Sequence, residues 1–308
     1  MSEDSPGLQT RCGYVALVGR PNVGKSTLLN HLLGMKLSIT SRKPQTTRRN
    51  LLGVDTRGEV QAIYVDTPGI HRAGSRQLNR LMVKHATSIL TDVDLVLVLL
   101  EHHRLTDEDE IVLEHVAQAG VPALAILNKV DLLSDKSRLL PAMQRLGERK
   151  LFAEIIPLSA LQKDGVDLLR ERVAHYLPKQ SHQFPDDQVT DASERYLVSE
   201  IIREKLMRRL GDELPHRVAV VVEAFQAEPH LVTIRAEIFV EKDGQKSIVI
   251  GEKGHMLKSI GQDARMDIEA LLNAKVMLHL WVKVRQGWTN DNRLLRRFGM
   301  DDTGPDRS

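Results

Sequence analysis

The sequence predicts an α/β protein of two units in series. The first is a doubly wound, mostly parallel sheet over residues 10–178, and the second is a smaller α+β module over 194–298. Three observations carry that prediction. A glycine-rich loop joins an apolar run, Tyr14–Val18, to a helix-period segment ending near Gly34. Further apolar runs, Val60–Val65, Leu95–Leu100 and Val121–Leu127, read as strands, two of them unbroken enough for a sheet covered on both faces. A polar, proline-marked stretch then separates differently patterned halves, and 179–193 reads as linker.

Composition sets outer limits. At 308 residues the chain exceeds one ordinary compact core, and 42% apolar content can bury two without staples. A single cysteine, Cys12, excludes an internal disulfide framework and a cysteine metal site, and fits a reduced cytoplasmic protein. No apolar run reaches the ~18–20 residues that span a bilayer. The acidic start Met1-Ser-Glu-Asp-Ser-Pro is not patterned as a signal peptide. With a net charge of +2, any nucleic-acid surface must be local.

The glycine-rich loop is Gly19-Arg20-Pro21-Asn22-Val23-Gly24-Lys25-Ser26, which fits G-x-x-x-x-G-K-[ST] between a strand and a helix. Backbone N–H groups of such a loop point at phosphates, and the helix dipole favours their charge. Lys25 is expected at the β/γ-phosphates, the Ser26 hydroxyl on Mg²⁺, and Thr27 near the α-phosphate. This loop alone does not choose between ATP and GTP.

Two later stretches choose. Asn128-Lys129-Val130-Asp131 follows a buried strand at the sheet edge where ligands bind. The Asp131 carboxylate can accept from guanine N1–H and its 2-amino group, whereas adenine would leave it desolvated and unpaired. Asn128 is expected to bridge base and phosphate loop, with the Lys129 stem over the ring. Ser159-Ala160-Leu161 supplies an N–H at Ala160 for guanine O6. The ligand is therefore GTP or GDP.

The strand Val60–Val65 delivers Asp66-Thr67-Pro68-Gly69, with Asp66 expected to hold Mg²⁺ through water and Gly69 N–H to meet the γ-phosphate. In the polar segment Ser38–Arg49 a threonine can close on the metal while that phosphate is present; Thr47 is the choice and Thr46 the reserve. Ile70 occupies the position where many GTPases carry a water-orienting glutamine, so slow intrinsic hydrolysis is expected. Asn22 is a candidate to hold a monovalent cation where an arginine finger would otherwise act, with an Asx turn as the alternative. The acidic run Asp107–Glu110 follows Thr106 and reads as a capped helix start, and His102-His103 as loop.

In the second module, Glu194–Leu210 reads as helix, Val218–Val222 and Thr233–Glu241 as strands, His255–Leu272 as helix, Lys275–Val284 as strand and Asn292–Phe298 as a short helix. The run Lys246-Ser-Ile-Val-Ile250 leads into Gly251-Glu252-Lys253-Gly254. A G-x-x-G loop entering a helix is the arrangement of a KH domain, which clamps about four single-stranded nucleotides. Its glycines allow close approach of sugar-phosphate, and Lys253 and Lys258 offer charge.

G-R-P-N-V-G-K-S-T, Q-T-T-R, D-T-P-G-I, N-K-V-D, S-A-L, V-I-G-E-K-G and L-W-V-K-V-R-Q-G-W-T-N-D occur in that order. In this order the chain resembles the Era family of bacterial GTPases with a C-terminal type II KH domain. The resemblance implies a monomeric GTPase that binds 16S rRNA near its 3′ end and acts in 30S ribosomal subunit maturation. It further implies GTP-gated RNA access and peripheral association with the inner membrane. Some relatives use potassium, which adds weight to Asn22. Residues 301–308 have no counterpart. The rival readings are a membrane-linked signalling GTPase whose C-terminal module binds protein, and an RNA-binding scaffold that holds nucleotide without useful turnover.

Asp131→Asn is expected to lose preference for guanine over other bases in nucleotide competition; unchanged selectivity would refute the base assignment.

Overall fold

The computed structural model describes residues 10–41, 43, 46–70, 77–101, 105–211 and 217–300. His102-His103, the N-terminal nine residues and 301–308 lie outside the described residues. The chain forms two compact units. The first takes in residues up to 38, 47–73 and 82–191; the second takes in 39–46, 74–81 and the chain from 192 onward.

In the first unit, β1 (Arg11–Val18) leads to α1 (Lys25–Leu33), followed by β2 (Leu51–Arg57) and β3 (Val60–Asp66). After α2 (Gln77–Ser88), whose residues to Leu81 are grouped with the second unit, come β4 (Leu95–Glu101), α3 (Asp107–Ala119), β5 (Ala123–Asn128), α4 (Leu139–Glu148), β6 (Glu154–Pro157) and α5 (Val166–Tyr176). The strand order is β2-β3-β1-β4-β5-β6, all pairs parallel except β2 with β3. Connections leave β1 toward β3 on one side and β4 on the other, so the sheet's switch point falls at the end of β1, where ligands bind in such folds.

Burial explains why β4 and β5 were legible as unbroken apolar runs. Every β5 residue is buried, and Glu101 alone in β4 reaches partial exposure. The β2 strand, Leu-Leu-Gly-Val-Asp-Thr-Arg, has no such run because it is the antiparallel edge. Gly53 lets it approach α1: a Cβ there would lie 2.6 Å from Leu33 Cδ1. The acidic run opening α3 is a capping box, in which Thr106 Oγ1 accepts from Asp109 N and the Asp109 carboxylate accepts from Thr106 N.

The predicted linker is less free than its composition suggests. Val54 N donates to Val189 O at 2.7 Å, Thr190 Oγ1 to Leu52 O at 2.6 Å, and Gln61 bonds Gln183 and Phe184. The stretch thus satisfies backbone groups that the β2 edge would otherwise expose.

The second unit contains α6 (Glu194–Arg209), β7 (Ala219–Glu228), β8 (Leu231–Val240), α7 (Asp243–Ile250), α8 (His255–Leu272), β9 (Val276–Val284) and α9 (Asn292–Arg297). Its sheet runs β7-β8-β9, the first pair antiparallel with a bulge at Val222/Ala224 and the second parallel. The run Lys246–Ile250 is the end of α7, so the G-x-x-G turn joins two helices. One core, with Ile201, Ile202, Val220, Ile234, Ile238, Ile260 and Ile268 at its centre, holds helices to sheet. In the same unit Thr40 and Thr46 are tied to α6: Thr40 N donates to the fully buried Glu204 carboxylate at 2.9 Å, and Arg203 donates to Thr46 O.

Ile234→Ala removes a fully buried side chain from this core and is expected to cost about 2–5 kcal/mol in urea unfolding of the second unit, with GDP affinity unchanged. Loss of GDP binding in the folded variant would contradict the separation of the two cores.

Candidate nucleotide and nucleic-acid sites

The loop after β1 has the backbone its residues permit. Gly19, Asn22 and Gly24 have φ of 154°, 65° and 106°. A Cβ on Gly24 would sit 2.3 Å from Asn128 Nδ2, so glycine there is what lets the base-reading loop touch the phosphate loop. Asn128, almost fully buried, donates from Nδ2 to Val23 O at 2.7 Å and accepts from Lys129 N at 2.7 Å and Ala160 N at 2.9 Å. One side chain therefore ties Val23, Lys129 and Ala160 together. The Ala160 N–H expected at guanine O6 donates here to Asn128 Oδ1. Asp131 is exposed and accepts from Ser159 Oγ at 2.5 Å, which steers its carboxylate. Val130 N bonds Leu158 O, completing the brace between the two base-reading stretches.

Lys25 sits within the loop with 6% exposure, donating to Gly19 O and Arg20 O at 3.0 Å each. Burial lowers its pKa to about 8, against the pull of Asp66. These carbonyls hold the ammonium where an incoming phosphate would exchange for them.

Asp66, at the end of β3, is fully buried. Its Oδ2 accepts from Ser38 Oγ at 2.7 Å, Ser26 Oγ at 2.8 Å and Thr47 Oγ1 at 3.2 Å, and Ser26 and Thr47 oxygens lie 3.0 Å apart. Its Oδ1 is buried without a hydrogen-bond partner. Burial pushes the carboxyl above its usual range, and the Ser38 hydrogen bond and nearby Lys25 oppose that. A carboxylate with hydroxyl oxygens around it and one orphaned oxygen is the hard donor set that suits Mg²⁺. Thr47 joins this cluster; Thr46 instead donates to Lys43 O. Ser38 was not anticipated, because a serine in a polar segment carries no local signal.

The rest of the strand end packs tightly. Thr67 Oγ1 donates to Leu17 O, Pro68 and Gly69 are buried, and a Cβ on Gly69 would lie 2.7 Å from Pro21 N. Ile70 is fully buried and its N–H bonds Gly19 O, so its side chain belongs to the core. Asn22 is exposed in the left-handed region, and Thr27 is half-buried in the first turn of α1. Arg20 and Lys129 both pair with Glu101, and those partners outweigh the upward push of burial on its pKa.

In the second unit the G-x-x-G turn takes φ of 72°, 49° and 80° at Gly251, Lys253 and Gly254, with Glu252 and Lys253 exposed. A Cβ on Gly251 would meet Met256 Cβ at 2.5 Å, whereas none would be hindered at Gly254. From Gly254 a groove of about 530 Å³ runs between α8 and β9, lined by Leu257, Lys258, Gly261, Arg265 and Met277 among others. Lys258 lines it, whereas Gly251, Glu252 and Lys253 form the turn at its end. Gly261, Arg265 and Met277 were missed. Positions 254, 258, 261 and 265 follow helical spacing, and that periodicity was the available signal.

Residues 14–129 match a family model described as 50S ribosome-binding GTPase, and 213–289 match a KH domain model. GTPase Era of Pseudomonas putida strain W619 is 53% identical over 98% of this chain and 100% of its own length. GTPase Era of Pseudomonas aeruginosa PAO1 is 52% identical over 98% and 99%. The chain belongs to the Era family of GTPases. Among solved structures, Era in complex with MgGDPNP and nucleotides 1506–1542 of 16S ribosomal RNA superposes with a TM-score of 0.92 at 37% identity, covering 95% of this chain and 99% of that one. A point variant of Aquifex aeolicus Era bound to GDP·AlF4⁻ gives 0.91 at 37%, covering 94% and 99%.

Within this Era-family chain, Asn128→Ala removes three hydrogen bonds and leaves Ala160 N–H and Val23 C=O without their partner. The nucleotide-free protein is expected to lose roughly 1–3 kcal/mol in urea unfolding. A loss below about 0.5 kcal/mol would mean that water takes over those bonds.

Proposed function

We propose that the chain is a GTP-hydrolysing switch whose KH unit binds 16S rRNA near its 3′ end during maturation of the 30S subunit. The observation that carries the reading is the pairing, in one Era-family chain, of the Asp66 hydroxyl cluster with a G-x-x-G groove. The relative solved with a 16S rRNA fragment supports the RNA assignment.

Lys25 meets the β/γ-phosphates, and the loop from Gly19 to Thr27 wraps them with backbone donors. Ser26, Thr47 and Asp66 hold Mg²⁺, which when bound supplies charge neutralisation at the phosphates. Asn128 and Asp131 read the base, with Ser159 steering Asp131. Gly69 N–H faces the γ-phosphate. Ile70 is core and cannot orient water, so intrinsic turnover is slow; Asn22 would help to hold K⁺, which would supply positive charge to the transferring phosphoryl group. Segment 39–46, grouped with the second unit and held by Arg203 and Glu204, runs directly into Thr47. A change at Thr47 on loss of the γ-phosphate is therefore passed to a segment that the RNA-binding unit holds.

Gly251, Glu252, Lys253, Gly254 and Lys258 contact the strand's backbone, and the apolar groove wall accommodates bases. Peripheral association with the inner membrane is part of this proposal; among the described residues no helix is long and apolar enough to cross a membrane.

Two measurements test this. Lys253→Glu with Lys258→Glu, which reverses two exposed charges, is expected to weaken binding of a single-stranded 16S 3′-end oligomer at least ~10-fold. Unchanged RNA binding would favour a protein-docking module. Turnover in potassium should exceed turnover in sodium, and Asn22→Ala should erase the difference; equal rates remove the cation role.

A further inference from the structure

The sheet places β4 between β1 and β5, so its last residue is flanked by the loops that leave both neighbours. That residue is Glu101, in register with Asn128. Its Oε2 lies 2.6 Å from Arg20 of the phosphate loop, and its Oε1 pairs with Lys129 of the base-reading loop. Arg20 Nε reaches 3.3 Å from the Asp109 carboxylate, which also closes the cap of α3.

We propose that Glu101 is a positioning residue for guanine nucleotide, holding the phosphate loop and the base-reading loop as one pre-formed unit through Arg20 and Lys129. A lysine left free is a flexible, strongly hydrated cation, and ordering it over a base would cost affinity. Pairing its ammonium with Glu101 fixes the stem before the ring arrives. Arg20 gains the same restraint at its other end. Its side chain and that of Glu101 are 17% and 19% exposed, so solvent screens the pair less than a surface ion pair. Asp109 is fully buried with Oδ1 lacking a hydrogen bond, so freeing Arg20 would strip a buried carboxylate of its countercharge. Among the described residues, the ion-pair partners of the Glu101 carboxylate are these two cations, and it acts through them. The residue carries no local signal, since a lone glutamate ending an apolar strand reads as the point where the strand meets solvent.

The inference rests on the guanine-nucleotide reading. Indifference of the native protein to base identity would overturn that reading, whereas the outcomes below address Glu101 alone. In the full chain, Glu101→Gln keeps the shape and removes the charge. Dissociation of a fluorescent GDP analogue is expected to speed up about 10-fold, and KM for GTP to rise by a similar factor with kcat within about two-fold. Glu101→Asp keeps the charge but is too short to span both cations, and is expected to show the same loss. A double-mutant cycle of Arg20→Gln and Lys129→Gln on GDP affinity should be non-additive by at least about five-fold in the native background. The same cycle should become additive in the Glu101→Gln background. A native-like dissociation rate in either Glu101 variant overturns the proposal, and so does coupling that survives Glu101→Gln.

Discussion

Burying a carboxylate is costly unless its oxygens are paired, and Asp66 is where this chain accepts that cost. One oxygen gathers the hydroxyls of Ser26, Ser38 and Thr47; the other has no hydrogen-bond partner. Those hydroxyls come from the first turn of α1 and from the segment before β2, so one carboxylate draws together pieces of chain that nothing in their own propensity would join. Under the proposed function, that orphaned oxygen and the hydroxyls beside it are the donors that would hold Mg²⁺.

The surrounding fold makes that possible. The switch in sheet direction at β1 leaves a crevice at the strand ends, and three loops converge there from β1, β3 and β5. Glycines at 19, 24 and 69 remove the side chains that would keep these loops apart. Asn128 then ties the base-reading loop to the phosphate loop by direct hydrogen bonds, while Glu101 does so by charge. In the second unit, rigidity is arranged differently. A buried Arg203 and Glu204 on α6 direct hydrogen-bonding capacity to the backbone of Thr40 and Thr46.

Much of this was legible because local patterns and chemistry coincide. Strands β4 and β5 are covered on both faces and so read as plain apolar runs; the glycine loop, N-K-V-D and the α3 cap announce themselves by spacing. Strand β2 was hidden because an edge strand needs no apolar face and its partner is antiparallel. The helix α7 was hidden for the opposite reason: its Ile-Val-Ile ending carries β-branched residues that tertiary packing overrides. Ser38, Glu101 and Arg265 are functional candidates only in three dimensions, since each depends on residues distant in the chain. The linker's composition misled about its freedom, because Val189 and Thr190 bond the backbone of β2.

The central claim is that the phosphate state sensed at Asp66 and Thr47 changes how the KH groove holds RNA. The direct measurement is the affinity of the full chain for a 16S 3′-end oligomer, loaded in turn with a non-hydrolysable GTP analogue and with GDP. The account predicts affinities that differ by at least about five-fold, with the difference erased by Thr47→Ala. Equal affinities in the two nucleotide states would contradict it.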